Sequence, residues 1–112
     1  MDKQTATTLF ESLASGTRLD VFRLLVKQAP TGLVAGEIAT ELALPPTNLS
    51  FHLKAMTHTG LLNLTQEGRY LRYRANLTMM QSLIDYLTAE CCSGHLAHCF
   101  DHGAAFTCCD YP

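Results

Sequence analysis

Apolar positions along this chain recur first at helical spacing and then, for one short stretch, at every second residue. Ala6, Leu9, Phe10 and Leu13 predict a short amphipathic first helix over residues 5 to 14, ending near Ser15-Gly16. Thr17, with Asp20 three residues on, resembles a cap for a second helix reaching about Gln28. Leu19, Val21, Phe22, Leu24, Leu25 and Val26 make that helix strongly apolar and assign it to the core. Pro30-Thr31-Gly32 breaks the pattern, and Leu33, Ile38, Ala39 and Leu42 mark a third, shorter helix. After the turn Leu44-Pro45, Pro46 fits the first position of a fourth helix, where its missing N–H does no harm. Leu49, Leu53 and Met56 line one face of that helix, Thr47, Asn48, Ser50, Phe51 and Lys54 lie on or near the other, and Gly60 closes it.

From Leu61 the period changes to two. Leu62 and Leu64 alternate with polar residues, Glu67-Gly68 supplies a turn, and Leu71, Tyr73 and Ala75 alternate with Tyr70, Arg72 and Arg74, which predicts a β-hairpin. Thr78 is a candidate cap for a last helix in which Met80, Leu83, Ile84, Leu87 and Cys91 share a stripe, with Ser93-Gly94 as its stop. Two short helices joined by a tight turn form the helix-turn-helix layout, and a basic hairpin directly after it is a wing. The fold class expected is mainly α with a small β-hairpin, a winged helix-turn-helix, with residues 1–90 as the domain and 91–112 as a Cys/His-rich tail. The apolar stripe of the last helix exceeds what a core built from the first four helices requires. It therefore predicts a homodimer, whose two-fold axis would set two recognition helices in successive major grooves.

Length and composition agree with one globular domain. The 112 residues are 47% hydrophobic and 16% charged, enough for an ordinary core and too short for two. No stretch approaches the roughly 18 to 20 apolar residues that span a bilayer and no leader is evident, so a cytoplasmic protein is expected. The formal charge of -2 at first argues against nucleic acid. Its distribution reverses that: between Asn48 and Arg74, Lys54, Arg69, Arg72 and Arg74 face Glu67 alone. The candidate DNA-contacting set is Thr47, Asn48, Ser50, Phe51, Lys54, Arg69 and Arg72. Short polar side chains near a helix N-terminus reach base edges, and the cations attract phosphates.

The segment NLSFHLKAMTHTGLL from Asn48 to Leu62, followed by EGRYLRYR from Glu67 to Arg74, resembles the arsenical-resistance repressor (ArsR/SmtB) family. So does LASGTRLDVFRLL from Leu13 to Leu25, and together the likeness covers roughly Thr5 to Glu90. The resemblance implies a homodimer that sits on double-stranded operator DNA and leaves it when a metal or metalloid binds. His52 in this motif reads as a packing and hydrogen-bonding residue rather than a ligand. Phe51 departs from the pattern, because relatives commonly carry a basic residue there. The family's first described sensor, a Cys-Val-Cys element on the third helix, has no counterpart in Leu33 to Ala39.

All five cysteines lie between Cys91 and Cys109, with His95, His98 and His102 among them. An odd cluster at one end excludes a disulfide framework and points to metal or redox chemistry. Three thiolates in a pyramid suit soft trivalent arsenic or antimony, and Cys91, Cys92 and Cys99 are the candidate ligands for arsenite or antimonite as inducer. In an unbroken helix Cys92 and Cys99 would stand about 10 Å apart along the axis, so the set requires the helix to stop at Gly94. Cys108 and Cys109 lie near the terminus. A divalent ion such as zinc or cadmium and a thiol redox switch are the competing responses. A winged-helix module that binds only proteins is a further alternative. Catalysis is not expected, and no catalytic cofactor is implied, because no carboxylate or amide is placed to orient a Cys/His pair.

Overall fold

The computed structural model describes residues 1–89, which form α1 (Lys3–Leu13), α2 (Gly16–Lys27), β1 (Leu33–Val34), α3 (Ala35–Leu42), α4 (Pro46–Thr59), β2 (Leu62–Glu67), β3 (Tyr70–Ala75) and α5 (Leu77–Leu87). Leu9, Val21, Leu25, Ile38, Leu49, Leu53, Met56, Leu61 and Leu83 are fully buried, so every helix contributes to one core. The inner stripe of α4 is the Leu49, Leu53, Met56 face expected from its spacing.

Helix ends follow capping chemistry, in two places at residues other than those expected. Ser15, not Thr17, caps α2, its hydroxyl accepting from the Arg18 N–H at 3.4 Å. Its extended backbone, φ -152°, lets the side chain turn back over the first turn, so the helix starts before Thr17. Asn76, not Thr78, caps α5: its side-chain oxygen accepts from the Met79 N–H at 3.1 Å while its amide donates to the Gly60 carbonyl at 2.9 Å. One residue thus ties the end of α4 to the start of α5. Described helix α5 closes at Leu87, where the Thr88 hydroxyl bonds back to the Ile84 carbonyl at 2.8 Å. The stop expected at Gly94, and Cys91 in the stripe, lie outside the described residues.

The helix-turn-helix is set by two left-handed residues. Ala43, at φ 51°, ends α3, with the Leu44 N–H bonded to the Ala39 carbonyl and the Ala43 N–H to that of Thr40. Gly60, at φ 94°, ends α4 in the same pattern, through Leu61 to Met56 and Gly60 to Thr57. Pro46 occupies the first turn of α4 as its ring geometry favours.

The hairpin pairs Leu62 with Ala75 through Glu67 with Tyr70, leaving Gly68 and Arg69 as a two-residue turn with Gly68 at φ 63°. A glycine at the first central position suits the tight turns that match strand twist. The sheet has a third strand that periodicity does not predict. Leu33 and Val34 pair antiparallel with Tyr73 and Arg72, giving the order β1-β3-β2, so Leu33 lies in a strand rather than at the start of the third helix.

Candidate nucleic-acid interface

Helix α4 turns Leu49, Leu53 and Met56 inward, so the 100° step per residue carries Thr47, Phe51, Lys54 and His58 to the opposite side. Thr47, Asn48, Ser50, Phe51 and Lys54 are all exposed, and Phe51 is 68% exposed. The five α4 residues singled out from the sequence therefore share the outer surface of one helix, four of them in its first two turns.

Arg18 on α2 is a contributor that periodicity alone did not single out. Its Nε–H donates to His52 Nδ1 at 3.0 Å, which makes that ring nitrogen the acceptor. His52 thereby bonds to the scaffold behind the outer face. The Arg18 guanidinium carbon lies 6.0 Å from the centre of the Phe51 ring, and the His52 ring meets Phe51 edge-on at 5.8 Å and 72°. Nothing in the sequence separates Arg18 from Asp20, Arg23 and Lys27, the other charged residues of α2; the contact with α4 does.

The wing stands beside α4. Ser50, Lys54, Thr57 and His58 form one wall of a groove whose other wall is Leu64, Leu71 and Tyr73 of the hairpin. Burial pushes the Tyr73 phenol above its usual range. On the hairpin's other face, Glu67 pairs with Arg72 at 2.9 Å and with Arg74 at 3.7 Å. Arg72 also donates to the Gly32 carbonyl at 3.2 Å, while Arg74 donates to the Pro30 carbonyl at 3.2 Å and to the Thr65 hydroxyl at 2.9 Å. These two arginines fasten the wing to the loop after α2. Arg69 occupies the exposed turn, and among the described residues neither it nor Lys54 forms an ion pair. The candidate set thus divides: Arg72 is held in structural bonds, whereas Arg69 and the α4 residues face outward.

No three His, Asp or Glu side chains converge as a metal site among the described residues, and Cys91, Cys92 and Cys99 lie outside them. No described helix is long and apolar enough to cross a membrane.

The model of a helix-turn-helix domain matches residues 13–65. No curated protein matches the chain. Among solved structures, HlyU from Vibrio cholerae N16961 is similar at 27% identity over 83% of this chain and 100% of its own, with a TM-score of 0.64. The homodimeric winged helix-turn-helix DNA-binding domain of Mb0332 from Mycobacterium bovis, described as a possible ArsR-family transcriptional regulator, is similar at 26% identity. It covers 85% of this chain and 84% of its own, with a TM-score of 0.61. An ArsR-like transcriptional regulator from Rhodococcus sp. RHA1 shares the fold at 23% identity, over 91% of this chain and 94% of its own, with a TM-score of 0.63. With its helix-turn-helix, its wing and these neighbours, the chain carries a helix-turn-helix domain and resembles ArsR-like winged helix-turn-helix transcriptional regulators.

Proposed function

We propose that the protein is a homodimeric repressor that holds operator DNA through α4 and the wing tip and releases it when trivalent arsenic or antimony binds Cys91, Cys92 and Cys99. The observation that carries the DNA half is the outer face of α4, where short polar side chains and Lys54 stand beside the wing. Asn48 suits an adenine edge, Thr47 and Ser50 suit bases or phosphates, and Lys54 and Arg69 supply attraction independent of sequence. The dimer is supported by α5, whose Leu77, Ile84, Tyr86 and Leu87 leave an apolar surface uncovered, and by the homodimeric state of the Mb0332 domain.

The sensing half rests on the donor set. Three thiolates satisfy a soft trivalent ion, and Cys91 and Cys92 come shortly after Leu87, the end of α5, in the sequence. Binding of an ion by the tail cysteines would shift the α5 ends and so change the spacing of the two recognition helices. Substantial release requires the ion to favour the non-binding state by on the order of a few kcal/mol.

Fluorescence anisotropy on a duplex selected by the protein from a randomised library tests this under reducing conditions. Arsenite is expected to weaken the parent at least tenfold and to leave Cys92→Ser on the DNA. Release of Cys92→Ser equal to that of the parent contradicts the assigned ligands. Release by zinc but not arsenite transfers the site to a divalent ion, and release by peroxide alone transfers it to thiol oxidation.

A further inference from the structure

We propose that Phe51 reads thymine, its ring packing on the 5-methyl group of a thymine in the major groove and making α4 selective for a T·A pair at that register. The inference rests on the reading of α4 as the DNA-contacting helix and specifies what one of its residues recognises.

Among the described residues Phe51 is the most exposed of the large apolar side chains, and it stands opposite the buried Leu49, Leu53 and Met56. Its position is supported from behind. The Arg18 guanidinium carbon stands 6.0 Å from the ring centre, the His52 ring meets it edge-on, and the Arg18 to His52 hydrogen bond joins the two. A side chain so held has less rotamer freedom to lose on binding. Around it, Lys54, Ala55 and His58 complete a shallow concave patch along the outer face of α4.

The chemistry of that patch selects its ligand. A phenyl ring neither donates nor accepts hydrogen bonds, so it cannot distinguish the donors and acceptors of guanine, adenine or cytosine edges. In the major groove the thymine methyl is the apolar group a base pair presents. Lys54, one turn further along the same face, supplies the charge for a neighbouring phosphate. Insertion of the ring between base steps is the mode of minor-groove wedges, whereas a helix-turn-helix lays its second helix in the major groove.

Deoxyuridine removes the methyl and preserves pairing, which separates the two modes. The selected duplex is prepared with each thymine replaced in turn by deoxyuridine, and affinity is measured at fixed salt for the parent, Phe51→Leu and Phe51→Ala. The parent is expected to lose roughly fourfold at one thymine in each half-site, the value of one buried methyl. Phe51→Ala should bind the thymine and deoxyuridine duplexes equally, and Phe51→Leu should keep part of the preference. A parent indifferent to every replacement overturns the proposal while leaving the regulator's DNA binding intact. A Phe51→Ala variant with the parent's preference overturns it as well, by assigning the methyl to another residue. If the parent prefers no duplex, the reading of α4 and this inference fail together. Thermal unfolding of Phe51→Ala accompanies the binding data, and the parent's response alone decides the case should that variant not fold.

Discussion

Gly32→Ala is expected to destabilise the protein by about 2 to 5 kcal/mol, the sum of a left-handed backbone cost and local overpacking. Gly32 sits at φ 75°, where a side chain is strained whatever space surrounds it. There is also no space: a Cβ would fall on the Tyr73 carbonyl oxygen and within 2.7 Å of Arg74 Cγ. Tyr73 cannot retreat, because β3 is paired on both sides, with β1 at Leu33 and with β2 at Leu64. The Gly32 carbonyl also accepts from Arg72, so the substitution strains the loop that anchors the wing. The change should lower the urea midpoint and, at roughly 4 to 8 °C per kcal/mol for a domain of this size, the melting temperature by about 8 °C or more. Both are to be compared at one protein concentration, since the stability of the proposed dimer would depend on it. A loss below about 1 kcal/mol would mean that β3 yields more readily than its pairing implies.

Leu53→Ala carries the second large effect, through the core. Leu53 is 1% exposed, between Leu49 and Met56 on the face of α4 that packs into the common cluster. Truncating a buried leucine costs about 2 to 5 kcal/mol, made up of lost transfer energy and the cavity left behind. Small domains hold only about 5 to 15 kcal/mol in total. Leu53 also fixes the rotation of α4 against the core, so DNA affinity should fall together with stability. Alanine at exposed Ser50, by contrast, should leave the unfolding midpoint within about 0.5 kcal/mol of the parent.

The residues behind these expectations were unequally legible in the sequence. The inner stripe of α4, Pro46 at its start and Gly60 at its end are local features, and the spacing of residues within one helix was enough to place them. The hairpin was legible for the same reason, its alternation running unbroken from Leu71 to Ala75. Strand β1 was not: Leu33 and Val34 acquire their conformation from Tyr73 and Arg72 of β3, far along the chain, and two residues carry no period. The caps at Ser15 and Asn76 were missed because Thr17 and Thr78 are equally good candidates two residues on. Backbone dihedrals, and for Asn76 a bond to Gly60, decided between them. Charge along the wing was visible as an excess of arginine, but its destination was not. Glu67 and the carbonyls of Pro30 and Gly32 engage Arg72 and Arg74, leaving Arg69 at the turn.

That division of the arginines bears on regulation as well as binding. In the proposed dimer, a wing fastened to the loop after α2 would move with the core of its protomer, so a shift of α5 at the interface would carry the wing tip and α4 together. Release would then come from a change in the spacing of two rigid units rather than from loosening of either.

The central claim, that the outer face of α4 meets the phosphate backbone and base edges of DNA, is tested most directly by the salt dependence of affinity for the selected duplex. For the parent, log K should fall steeply and linearly with log salt concentration, and Lys54→Ala should reduce that slope by about one, the share of a single phosphate contact. A flat salt response of the parent, or a Lys54→Ala variant with unchanged slope and affinity, would contradict the assignment of this face to DNA.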